Sequence, residues 1–163
     1  MTFARLLIFA GFVAGACGLA SGQMRNAGNP QVEFKNSPEI SPPVGYSHAA
    51  VVSGGRMVFL SARRGLTSRG EMAGKNDFRA QAAQAFANLR AALAAAGGTP
   101  NDMVKLNFYV VGLNHEKLLA LRDVRDQFID KAHPPTSTLA GVQALFREDA
   151  LIEIEAVVVA VVR

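Results

Sequence analysis

The chain has 163 residues, half of them hydrophobic, which is enough for one domain with a sizeable core and too few for two comfortable ones. Its net charge of +4 is spread along the chain without a run of five basic residues, which disfavours a nucleic-acid-binding stripe.

Residues 1–22 differ in composition from everything after them. Met1 to Arg5 form a short basic start, Leu6 to Ala16 are almost wholly apolar, and small residues follow from Gly15 to Gly22. That is the layout of a secretory signal, and the apolar run is short for a membrane span. Ala20-Ser21-Gly22 offers an A-x-G cleavage site; Cys17, after Ala14-Gly15-Ala16, offers a poorer lipoprotein site; an uncleaved anchor is the third alternative. Cleavage near Gly22 removes the single cysteine, leaving no disulfide, thiol nucleophile or cysteine-held metal. The expected location is periplasmic or secreted, with no membrane span after cleavage.

Residues 23–42 are polar and broken by Pro30, Pro38 and Pro42, and read as a linker with at most one short strand. The folded domain is expected over 43–163. His48 to Val52 and Met57 to Ser61 are short apolar runs joined by Ser53-Gly54-Gly55-Arg56, which predicts a hairpin. A loop rich in glycine and charge occupies 62–76. Phe78, Ala82, Phe86, Leu89 and Leu93 fall on one helical stripe, predicting a helix over 77–96 capped by Asn76 and ended by Gly97-Gly98. Residues 104–111 begin with the alternation of a half-buried strand. A second helix is expected over about 115–130, capped by Asn114 and stopped by His133-Pro134-Pro135. Strands follow at 136–142 and 150–162. The order ββαβαββ predicts an α+β fold, two helices packed on one face of a mixed β-sheet.

The last strand carries the strongest chemical signal. Alternation places Glu153 and Glu155 on one face and Ile152, Ile154 and Ala156 on the other. Carboxylates in so apolar a strand need a partner, a wet edge or a task. Other chemistries find little support. His48, His115 and His133 lack metal-ligand spacing, and there is no G-x-S-x-G elbow, G-x-G-x-x-G or Walker pattern, so neither a metal nor a cofactor is expected.

An ordered set of segments resembles the Rid superfamily, the reactive enamine/imine deaminases also known by the older name L-PSP endoribonuclease. Pro43 to Ala49 resembles its P-x-G-x-Y-S-x-A opening, and Phe59-Leu60-Ser61 its second strand. Gln81 to Gly97, with Asn88-Leu89, is similar to its first helix, and Val104-Lys105-Leu106 to its V-K-x strand. Pro134 to Thr138 sits where the family has P-A-R-S, and Ile152 to Ala156 is similar to its closing E-I-E-A signature. The resemblance implies a chorismate-mutase-like homotrimer with small-molecule pockets at the subunit clefts. It implies that Glu153 positions water for attack on an imine carbon, that Tyr46 walls the pocket, and that Ser61 contributes a backbone or hydroxyl contact.

Two departures bear on function. Thr136 stands where the family's arginine clamps the substrate carboxylate, and Ser61-Ala62-Arg63 replaces S-G-Q. A threonine cannot supply a charged, bidentate contact, so turnover of standard amino-acid-derived enamines is expected to be weak. Arg63 and Arg122 are the candidates for a replacement charge. Three readings follow: hydrolysis of an imine or enamine with an atypical substrate, non-catalytic binding of a periplasmic metabolite, and a ribonuclease activity that export and the lack of a basic aromatic stripe make the weakest. In a trimer, Ile152, Ile154 and Val158 are the residues expected to be buried against a neighbour.

Replacing Leu7 and Ile8 by Asp should keep a tagged full-length chain in the cytoplasm, because export engages the apolar run. Cell fractionation checks this: the parent belongs in the periplasmic fraction, shortened near residue 22, and the variant does not.

Overall fold

A computed structural model describes residues 30–160; the predicted export segment lies outside them. Strands β1 (Gln31–Lys35) and β2 (Ala49–Ser53) form an antiparallel ribbon. Strands β3 (Arg56–Arg64), β4 (Met103–Val111), β5 (Thr136–Val142) and β6 (Ile152–Ala160) form a second sheet in the order β3-β6-β4-β5. Its β4–β5 pair is parallel and the other pairs are antiparallel. Helices α1 (Phe78–Ala95) and α2 (His115–Arg125) pack on one face. This is the expected mixed-sheet α+β architecture, with β1 as the one short strand allowed for in the segment read as linker. Among the described residues no helix is long and apolar enough to cross a membrane.

The core lies between α1, α2 and the alternate residues of β4 and β6. Phe86, Leu89 and Leu93 of α1 meet Leu106, Phe108 and Val110 of β4 and Ile152, Ile154, Ala156 and Val158 of β6. This corrects the expectation for the last strand: Ile152, Ile154 and Val158 are fully buried within their own chain, not held for a neighbour. Period-two alternation assigns the opposite, open face to Glu153, Glu155 and Val157.

Local chemistry sets the boundaries of α1. Asp77, not Asn76, is its cap, accepting from the Ala80 amide at 3.0 Å. Asn76 sits at φ 60° in the turn closed by Asp77 N–H donating to Gly74 O, so its side chain comes one residue too early. At the other end Gly97, at φ 77°, lets Gly98 N–H reach Leu93 O and Gly97 N–H reach Ala94 O, the double bond of a Schellman stop. Asn114 caps α2 as expected, accepting from Lys117 N–H at 2.9 Å. That helix ends at Arg125 and continues as tighter turns that still bury Phe128 and Ile129.

The predicted hairpin is half right. Gly54 and Gly55 both take positive φ and reverse the chain, but β2 pairs with β1 and β3 pairs with β6. The nine-residue β3 finds on β6 a longer ladder than five-residue β2 offers, and there it places Val58 and Leu60 against the core.

Polar side chains tether the loops to this core. Gln81 is wholly buried; its Nε2 donates to Asp149 O at 2.9 Å and its Oε1 accepts from Leu151 N–H at 2.8 Å, tying α1 to the start of β6. Asn88 Nδ2 donates to Arg64 O and Leu66 O. Ser47 Oγ donates to Pro134 O at 2.7 Å and Ser47 N–H to Pro135 O, which fixes the segment before β2 beside β5.

Gln81→Leu keeps the volume but strands the Leu151 amide and the Asp149 carbonyl. It should cost about 2–4 kcal/mol, read as a lower urea midpoint at unchanged slope.

Candidate functional site

The open face of the sheet carries a polar row built by strand register. Arg64 pairs with Glu153 across β3 and β6, and Glu153 pairs with Tyr109 across β6 and β4. Arg64 Nε lies 3.5 Å from Glu153 Oε1, and the Arg64 guanidinium lies 5.2 Å from the centre of the exposed Phe146 ring. Asn107 pairs with Glu155 in the next same-face row, and Glu155 Oε1 accepts from both Asn107 Nδ2 and Tyr109 Oη. Asn107 Oδ1 is buried without a partner among the described residues. The hydrogen bond to Glu155, then burial and the carboxylate's charge, push the Tyr109 phenol above its ordinary value.

The two carboxylates therefore differ. Glu155 is committed to two donors within the sheet, whereas Glu153 has one cation beside it and remains partly open to solvent. Both carboxyl oxygens of Glu153 are free of hydrogen-bond donors among the described residues, whereas Glu155 keeps only Oε2 free.

Tyr46 belongs to a different region. It sits at the edge of β5, held there by the Ser47 tether, and borders two concavities. One, of about 170 Å³, runs under it between α2 and β5 and is lined by Arg122, Arg125 and Ser137 with apolar side chains behind them. The other, an open groove of about 400 Å³, passes over His48, Lys105 and Thr136. Thr136 Oγ1 donates to Val104 O at 2.8 Å, so its one proton is spent on the backbone.

The predicted site residues thus fall into two groups. Glu153 lies toward one end of the open face, with Ser61 exposed on β3 and Arg63 close by. Arg63 turns its Nε to Ser61 O at 2.9 Å, and it is Arg64 that meets Glu153. Tyr46 and Thr136 lie toward the other end, while Arg122 lies on the helix side of the sheet, in the cavity floored by Phe108 and Leu139. Thr136 pairs with Lys105 and Glu153 with Tyr109, positions four residues apart on β4, or about 13 Å along the strand. The residues read together from the sequence do not converge within one chain.

Three contributors escaped the sequence reading. Arg64 was grouped with Arg63 as solvated loop, although its place in β3 opposite Glu153 follows once the β3–β6 register is known. Tyr109 and Arg125 were passed over; for Arg125 the available signal was a charge three residues from Arg122 on a helix face that also carries Leu118 and Leu121.

Known proteins bear on this geometry. The profile of the family described as Endoribonuclease L-PSP matches residues 36–160. The chain belongs to that family. A protein of Dermatophagoides farinae named 2-iminobutanoate/2-iminopropanoate deaminase is 34% identical over 125 residues, covering 76% of this chain and 93% of its own. A solved structure from Yersinia pestis, of the conserved Rid protein family, is similar at TM-score 0.75 and 35% identity, covering 81% of this chain and 99% of its own. E. coli TdcF with bound serine is similar at TM-score 0.57 and 28% identity, over 74% of this chain and 90% of that one.

The raised Tyr109 value fixes a sign. The folded state favours the neutral phenol, so this group adds stability that is present below its unfolded value near 10 and is lost as pH rises through the higher folded one. In Tyr46→Phe, which leaves Tyr109 as the only tyrosine, phenolate absorbance should appear at higher pH than in free tyrosine. Adding Glu155→Gln should bring it down.

Proposed function

We propose that this family member hydrolyses a small imine or enamine at clefts between copies of the chain. The observation that carries the reading is the state of Glu153. It stands at the family's first E-I-E glutamate, on an open face, and is not consumed by the hydrogen bonds that hold Glu155. The deaminase name of the Dermatophagoides relative supports the same chemistry. Water held by Glu153 adds through its oxygen to the imine carbon, while the C=N electron pair goes to nitrogen, which takes a proton. The resulting carbinolamine loses ammonia and leaves a carbonyl product.

The separation of Glu153 from Tyr46 supports a site shared between subunits. Two spatial groups from one chain make one complete site when the second comes from a neighbour. The face that would meet the neighbour carries Phe59, 74% exposed, with Met57 also exposed and Val157 half-buried. A homotrimer closes such a head-to-tail contact, as the family resemblance implies.

Thr136 makes the substrate atypical. With its proton on Val104 O and no charge to offer, it leaves strand β5 without a carboxylate clamp. The same feature favours a second reading, a non-catalytic pocket for a metabolite. Together with the secretory layout of residues 1–22, both readings belong outside the cytoplasm.

The test is formation of 2-oxo acid from small 2-imino acids generated in the cuvette. The parent should exceed the buffer rate by a small margin on these standard substrates, and Glu153→Ala should remove that excess with the fold intact. Light scattering should give a trimer, and Phe59→Asp should lose both trimer and rate. A parent no faster than buffer on every imine leaves the binding reading; an active monomer overturns the shared site.

A further inference from the structure

Among the described residues Arg125 is the one charged side chain that is buried, at 9% exposure. Its five N–H donors are only partly used within the chain, and those without a partner keep contact with solvent. Nε and Nη2 of Arg125 both donate to the same atom, Asp126 Oδ1, at 2.9 and 2.7 Å. Those are the only hydrogen bonds of this guanidinium among the described residues, and Nη1 makes none.

The surroundings are shaped to hold that group. Gly45, at φ 74°, lies against it: a Cβ there would run into Nη2 and stand 3.0 Å from Nη1. The arginine faces the cavity of about 170 Å³ under Tyr46. Arg122, one turn earlier on α2, lines the same cavity, and both arginines lie in the last turn of the helix, where its dipole favours positive charge. Ser137 is on the opposite wall; Phe108, Leu118 and Leu139 supply an apolar floor, and no carboxylate lines the space. Two cations, one with unused donors, around a small apolar chamber are complementary to a short acid with an apolar tail.

We infer that Arg125, joined by Arg122, holds the carboxylate of a small 2-imino or 2-oxo acid in this cavity on the helix side of β5, apart from the open-face groove over Thr136. This rests on the imine-hydrolysis reading for its substrate class. It names a residue and a binding mode which that reading does not contain. The apolar floor sets a preference for short aliphatic side chains over polar ones.

The probe is 2-oxobutanoate, the kind of product such hydrolysis releases, titrated calorimetrically against the protein beside its neutral amide. The parent should bind the acid, Arg125→Gln should bind it about 30-fold more weakly, and the amide should not distinguish the two. Asp126→Asn removes the counter-charge without touching the cavity wall, and should tighten binding of the acid. An arginine that only supports the fold would give no such gain. The inference is overturned if the parent does not bind the acid, if a folded Arg125→Gln binds it as tightly as the parent, or if Asp126→Asn brings no gain. Should Arg125→Gln fail to fold, Asp126→Asn decides alone. Hydrolysis that needs Glu153 but binding that ignores Arg125 sinks this inference and leaves the enzymatic reading; binding that needs Arg125 without hydrolysis does the reverse.

Discussion

Strand β6 cannot slip by one residue along its neighbours without turning Ile152, Ile154 and Val158 into the open face and two carboxylates into the core. That prohibition fixes the register of β3 on one side and β4 on the other. The rows across the sheet follow from it: Arg64 beside Glu153 beside Tyr109, and Asn107 beside Glu155. The polar face is therefore a by-product of how the apolar face is packed. A site residue on a central strand inherits the rigidity of the core beneath it, which is what a water-positioning carboxylate requires.

Loops depend on the same strand less directly. Gln81 spends both ends of its amide on the chain just before β6, and Asn88 holds the chain just after β3. Both lie on α1, so one helix registers the two segments that flank the Glu153 row. Ser47 does the equivalent work at the far edge, where it joins the segment carrying Tyr46 to the residues before β5. These amides and hydroxyls resemble surface residues in the sequence, yet each ends on a backbone group that would otherwise lack a partner.

Periodicity made the sheet and helices legible. The α1 stripe and the β6 alternation are long and apolar, and both were read with their correct faces. What periodicity does not carry is pairing. The Gly54-Gly55 turn looked like a hairpin because local chemistry specifies the reversal, whereas the partner of β3 is chosen by the burial available on distant β6. The same limit hid Arg64, whose significance depends on a residue 89 positions later in the chain. The α1 cap missed by one residue because Asn76 and Asp77 are both competent, and the turn geometry selects between them. Ile152, Ile154 and Val158 were expected to be buried against a neighbour: an apolar run on a strand was taken as surplus when the chain's own helices consume it.

Gly45 has a consequence for how this chain can vary. Its left-handed backbone and missing Cβ leave the volume that the Arg125 guanidinium fills, although 80 positions separate the two. Neither position is free on its own. A side chain at 45 would push the guanidinium aside and strain the left-handed backbone, and a smaller residue at 125 opens a void beside it. Changing one of the pair therefore alters what the other position can hold, which couples the segment before β2 to the end of α2.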